Sequence, residues 1–322
     1  MIFKEVAIEP AYLSNWDRLK ATVDQCGFNH GRLIADFPKN KWQWQVVESC
    51  KDCLPREKSL IVEYLKNVKP RLIRRGRTFI EQNDWIENAK REHTGLPFHV
   101  VVTCDPHPGF PDFIEGVELH SGHGKWKDDK GDVIVRVAES MAAEAKELLV
   151  HAKEVVFIDP NYEPKSAYNK PLNRFITLAS QGTQLSRMEY HLEHDSPEEY
   201  FSGKLKEIHN LRRLSVPHFC GIQFIRWKSL NSMPRDAMHP RYLLTDLGGL
   251  RYDYGLCEGN DGETTDVQII EKGGAIYQQR WTEFNAGSTS FDFIDGFELA
   301  HQGIFKLAIQ NGRFIRCGAA LV

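Results

Sequence analysis

Long hydrophobic runs are missing from this chain. No stretch of about 18 consecutive apolar residues occurs, which excludes a transmembrane helix and gives the expectation of no integral-membrane segment. The opening residues Met1-Ile2-Phe3-Lys4-Glu5 lack a basic segment followed by an apolar one, so no signal peptide is expected. Cysteine is sparse and odd in number, with seven scattered residues, which argues against a disulfide framework and fits a reducing cytoplasm. Cys50-x-x-Cys53 has no second pair at zinc-finger spacing, so no structural metal is expected. An excess of either charge is also lacking. With 41 Lys and Arg against 44 Asp and Glu, the formal charge is −3, which rules out a generally basic protein and leaves room for a local patch. There is no Gly-x4-Gly-Lys-Ser/Thr loop and no Gly-x-Ser-x-Gly elbow, and Asp261 to Asp266 does not have EF-hand spacing. Nothing here calls for a cofactor.

What is present is ordinary globular material: 322 residues, 41% hydrophobic, with 18 Phe, 10 Tyr and 7 Trp, enough for one large domain or two moderate ones. Residues 1–95 read as a mainly helical N-terminal region. Leu54-Pro55-Arg56-Glu57 opens a helix whose apolar positions Leu60, Ile61, Tyr64 and Leu65 fall three and four apart, and Pro70 interrupts it. Residues 96–322 read as α/β. Short apolar runs at Phe98–Val102, Glu154–Ile158, Arg187–His191, Gly221–Trp227 and Arg241–Thr245 predict strands. Alanine-rich Val137–Val150, Leu172–Ala179 and the basic amphipathic Tyr200–Leu214 predict helices. Leu250–Tyr254 is expected to pair with Arg241–Thr245 across a turn at Gly248-Gly249. Strands separated by helices predict a mixed sheet flanked by helices.

Two features carry chemistry. Between Lys66 and Arg77 lie Lys66, Lys69, Arg71, Arg74, Arg75 and Arg77 with no acidic residue, a run that could track a phosphate backbone or form a solvated face. The second is Met238-His239-Pro240-Arg241-Tyr242-Leu243-Leu244-Thr245-Asp246-Leu247-Gly248-Gly249, which contains His-x-Arg-x4-Asp. In an extended chain residues 239 and 241 leave the same face, so an imidazole nucleophile can sit beside a phosphate-binding guanidinium. Asp246 lies past the strand, where a turn could return its carboxylate towards either group. That set suits phosphoryl transfer through a covalent histidine intermediate.

The motif resembles the signature of the phospholipase D superfamily, His-x-Lys-x4-Asp. The resemblance covers roughly residues 135 to 310, through the strand ending Phe157-Ile158-Asp159-Pro160-Asn161-Tyr162, the strand Arg187 to His191, the motif strand and, more weakly, Tyr254-Gly255-Leu256. It implies a phospholipase-D-like domain and a metal-independent phosphodiesterase. His239 would be the nucleophile or its proton-transfer partner, Arg241 the phosphate cation in place of lysine, and Asp246 the residue that orients a histidine. His191 could supply a second histidine, Glu258 follows the late Gly255-Leu256 element, and Asp159 ends a strand where α/β folds place functional groups. His-x-Arg with a downstream Gly-Leu is also similar to the phospholipase-D-like C-terminal domain of MIT-domain-containing proteins, which implies phosphoinositide binding rather than turnover.

Single-motif members build their site across a homodimer, so a homodimer or larger assembly is implied, with a protein partner possible through the N-terminal region. The expectation is therefore a cytoplasmic nuclease of phospholipase D type, by analogy in bacterial defence, with Lys69, Arg71, Arg74, Arg75 and Arg77 on nucleic acid. The alternative is an inactive module of the same fold that binds nucleic acid, phosphoinositide or a protein.

Overall fold

The computed structural model describes all residues except 121, 128–129, 183, 194–195, 231–237, 239, 286 and 322. The class is α/β, and the chain packs as two units, 1–130 and 131–322. Among the described residues the strands form one sheet of five and one of ten.

The first unit departs from the helical expectation. Its helices α1 (Trp16–Val23), α2 (Trp42–Ser49), α3 (Pro55–Lys66) and α4 (Trp85–Gly95) accompany five strands: β1 (Lys4–Ile8), β2 (Arg32–Ala35), β3 (Leu72–Ile73), β4 (Val100–Thr103) and β5 (Phe113–Glu115). These pair in parallel in the order β3-β2-β1-β4-β5. Residues 96–130 belong here rather than to the second unit, because β4 is the central neighbour of β1 and its run Val100, Val101, Val102 is fully buried, as a parallel strand covered on both faces requires. Trp42 fills the core beside β1 and donates its indole N–H to the Ile8 carbonyl at 2.8 Å. Ligands of open parallel sheets collect where the strand order reverses, here between β1 and β4. The Glu9 carboxylate spans that point by accepting the Cys104 N–H at 2.7 Å.

Over residues 138–252 the second unit follows the predicted alternation, whereas the elements before and after that stretch go beyond it. In chain order it runs β6 (Gly131–Val135), α5 (Ala138–His151), β7 (Glu154–Ile158), α6 (Ser166–Ala179), β8 (Arg187–Glu193), α7 (Glu198–Asn210) and β9 (Ile222–Ser229). It continues with β10 (Arg241–Thr245), β11 (Gly248–Tyr252), β12 (Thr264–Ile270), α8 (Ala275–Thr282), β13 (Phe291–Ala300), β14 (Gly303–Gln310) and β15 (Arg313–Cys317). The sheet order is β15-β14-β13-β9-β8-β7-β10-β11-β12-β6; β7, β8 and β9 are mutually parallel and the remaining pairs antiparallel. Phe157, Phe175, Tyr162, Tyr190 and Phe224 make an aromatic layer on one face. Ile158, Ile225, Trp227, Tyr242 and Leu244 pack on the other. The expected pairing of β10 with β11 is present, but its turn is Asp246-Leu247, since Thr245 pairs with Gly248 and Leu244 with Gly249. Both glycines are strand residues. A Cβ on Gly249 would lie 2.4 Å from Leu244 Cδ2 and 3.1 Å from the Leu243 carbonyl oxygen, so the close approach of the two strands explains that glycine.

Candidate functional site

The antiparallel pairing of β7 and β10 sets Tyr242 against Ile158, which brings the last residue of one strand and the first of the other to one end of the sheet. Asp159 and Arg241 meet there, with Arg241 Nε 3.8 Å from Asp159 Oδ1. Asp159 is 1% exposed and accepts two backbone hydrogen bonds, from Asn161 N–H at 3.0 Å and Leu256 N–H at 2.8 Å. Burial pushes its carboxyl up, opposed by those two hydrogen bonds and by the charges of Arg241 and Arg136. Gly255 closes the loop over the pair. Its φ of +103° is left-handed, and a Cβ there would stand 3.4 Å from Asp159 Oδ2 and 3.8 Å from Arg241 Nε. The Gly255-Leu256 element thus has a physical role: its backbone delivers the Leu256 N–H to Asp159. Arg241 also reaches the Asp253 carbonyl through Nη1 at 3.4 Å.

A second guanidinium stands beside the same loop. Arg136, between β6 and α5, donates from Nε to the Cys257 carbonyl at 3.0 Å and from Nη2 to the Cys257 sulfur at 2.7 Å. Nothing in its sequence neighbourhood marks it, since only the pairing of β6 on β12 brings residue 136 to this loop. Arg136 Nη1 also lies 3.5 Å from Glu263 Oε2, so the end of the sheet gathers two guanidiniums around one buried carboxyl, with a second, more exposed carboxylate on Arg136, and guanidiniums are the donors a phosphate oxygen takes.

The other expected members of the site are elsewhere. His239 lies outside the described residues. Asp246 is at the far end of β10, about 16 Å along the strand from Arg241 at roughly 3.3 Å per residue. There its carboxylate accepts the Lys153 and Glu154 N–H groups at 2.8 and 3.2 Å, pinning the start of β7. It does not reach Arg241, because a strand that carries the motif straight separates its ends.

His191 is also misplaced for the expected role. It pairs laterally with Ile158 and Ile225, and Ile158 with Tyr242, so it shares a face with Tyr242, whereas Arg241 leaves the opposite face. Its ring is 1% exposed and stacks on Phe284 at 4.9 Å. Trp227 Nε1–H donates to Nδ1 at 2.9 Å, and since an indole only donates, the ring proton is on Nε2, 3.1 Å from Glu189 Oε2. Glu189 is gripped in turn by Arg187 through Nε at 2.7 Å and Nη2 at 2.6 Å. Burial by itself would raise the Glu189 carboxyl, but the hydrogen bonds from His191 and Arg187 outweigh it and hold the group at about 2.

Glu258 is occupied structurally. Its carboxylate accepts the Ala138 N–H at the start of α5 at 3.3 Å and pairs with Lys170 at 3.0 Å.

The arginines of the first unit's basic run lie against acids. Arg77 is sunk to 4% exposure, bonded from Nε to Glu5 Oε1 at 2.9 Å and laid 3.5 Å over the Phe98 ring. Arg75 lies 3.8 Å from the same Glu5, and Arg74 bonds Asp36 at 2.7 Å. Arg71 donates to the Val23 carbonyl at 2.7 Å and lies 3.6 Å from Asp24. Lys69 is exposed. A run with no acid in sequence finds its acids on β1, after β2 and after α1, because the parallel sheet folds those segments against it.

Among the described residues, no group of three or more His, Cys, Asp or Glu is placed to hold a metal, and no helix is long and apolar enough to cross a membrane. No protein-family model matches the chain, and no curated protein matches it. Among solved structures it is similar to one described as "Structure of TrmBL2, an archaeal chromatin protein, shows a novel mode of DNA binding", at 13% identity and a TM-score of 0.27, over 70% of this chain and 67% of that one. So distant a likeness says nothing of what this chain does.

Proposed function

We propose that residues 131–322 are a phosphate-recognising module of phospholipase-D-like design that binds nucleic acid at the Asp159–Arg241 end of the sheet, and that one chain alone does not turn the phosphodiester over. The observation that carries this is the placement of Arg241. It stands at a strand end against the buried Asp159 carboxyl, which Arg136 also faces, while His191 and Asp246, the acid–base partners within the chain, are committed to the opposite face and the opposite end. A phosphodiesterase of the same fold, with His239 as nucleophile and a second chain completing the site, is the competing reading.

Labelled single- and double-stranded DNA and RNA, incubated with EDTA present, separate the two. Binding without cleavage is expected, with Arg241→Ala weakening it by about tenfold and reducing the salt slope by about one. Cleavage that disappears in His239→Ala would establish the enzyme instead. Binding that is indifferent to Arg241→Ala would remove the module.

A further inference from the structure

Where β9 begins, at the opposite end of the parallel strands from Arg241, two cavities adjoin. The smaller, about 370 Å3, is lined by His209 at the end of α7, Arg212 and Ser215 in the loop after it, His218 ahead of β9 and His301 in the β13–β14 turn, and no carboxylate among the described residues lines it. The rings of His218 and His301 meet with centroids 3.5 Å apart, and His209 Nε2 lies 3.4 Å from the His301 carbonyl oxygen. His209 Nδ1 is buried with no hydrogen-bond partner among the described residues. Arg212 holds φ at +48° where it terminates α7, with its N–H on the His209 carbonyl and the Arg213 N–H on the Ile208 carbonyl, both at 3.0 Å. A recess with one sign of charge concentrates its field, and guanidinium, imidazole and hydroxyl groups are the donors that phosphate oxygens take.

The larger cavity, about 820 Å3, shares His218 and Ala300 with the smaller. Its floor is charge-compensated. Glu189 is held by Arg187 and Glu298 by Arg316, the latter through Nη2 at 2.6 Å and Nε at 2.8 Å. Gln223 stands in register between the two carboxylates. Phe219, Phe284 and Phe314 line the walls. An amide between two neutralised acids, with aromatic rings alongside, suits an uncharged, planar, hydrogen-bonding group rather than a second anion.

We propose that the two cavities form one site for a mononucleotide, with the phosphate in the histidine–arginine recess and the base in the larger cavity. The site is separate from the one around Arg241.

Calorimetric titration of the full chain with AMP, GMP, CMP and UMP, with their nucleosides and with inorganic phosphate tests this. At least one nucleotide is expected to bind about tenfold or more tighter than its nucleoside and than phosphate. Arg212→Ala and His301→Gln should weaken that nucleotide by a similar factor and leave the nucleoside unaffected. Phe314→Ala should weaken nucleotide and nucleoside but not phosphate, and Arg241→Ala should change none of them. Arg212 and His301 are exposed, so their variants should keep the parent melting temperature. Failure of every nucleotide to outbind phosphate, or nucleotide binding indifferent to Arg212→Ala and His301→Gln in folded protein, would overturn the proposal.

Discussion

The buried chain Trp227–His191–Glu189–Arg187 invites one quantitative test, the substitution Glu189→Gln. In the folded protein the carboxyl is held at about 2 against an ordinary 4.5, and at about 1.4 kcal/mol per tenfold that difference corresponds to roughly 3 kcal/mol. Arg187 keeps 36% of its side chain in water, so solvent screens part of its share, and a loss of about 2 kcal/mol at pH 7 is the expected cost. The amide still offers one oxygen to His191 or Arg187 but no bidentate charged acceptor.

The pH dependence has a fixed sign. A carboxyl depressed in the folded state adds stability in full above its unfolded value and loses it as pH falls through the folded one. The gap between parent and variant should therefore be constant above about pH 5 and shrink as pH falls from about 4.5 towards 2. Urea unfolding followed by tryptophan fluorescence between pH 7 and pH 3 measures it. A gap below about 0.5 kcal/mol at pH 7, or one that does not narrow in acid, would show that the network does not hold the carboxylate as described.

Three further outcomes can be checked directly. Arg77→Gln, which breaks a buried pair with Glu5, should cost about 3–5 kcal/mol and leave the salt dependence of nucleic-acid binding unaltered; a changed slope with unchanged stability would restore the basic run as a binding track. Gly249→Ala should destabilise the chain by about 1–3 kcal/mol in thermal melts, because the added methyl meets Leu244 and the Leu243 carbonyl oxygen, and a neutral result would mean that β10 and β11 separate easily. Cys317 is exposed, whereas burial pushes the Cys26 thiol up to about 12, so brief alkylation of native protein at pH 8 should label Cys317 and spare Cys26; peptide mapping that finds both modified equally would show the first unit opening readily.

The strands of the second unit were legible because apolar run, bounding turn and burial coincide. Glu154–Ile158 and Arg241–Thr245 occupy the expected residues, and α5 follows the alanine-rich segment. In the first unit only β4 was, within the run Phe98–Val102; its other strands were not. Lys4–Ile8 and Arg32–Ala35 carry Glu5 and Arg32, buried charges that break an apolar pattern. Such charges are tolerated only because Arg77 pairs with Glu5 and the Trp126 carbonyl accepts from Arg32, partners far along the chain. The candidate site divides in the same way. Spacing pointed to Arg241, and the resemblance, more weakly, to Gly255-Leu256.

By itself the sequence determined the α/β class, the order of elements from α5 to β11 and the presence of a cation at the head of β10, all of which follow from local periodicity and spacing. Only the tertiary structure decided which charges meet. Strand register sent His191 to the face opposite Arg241, an extended strand carried Asp246 to its far end, and sheet pairing brought Arg136 and Asp159 to the guanidinium. Those outcomes depend on pairings between residues distant in the chain, which one-dimensional spacing does not encode.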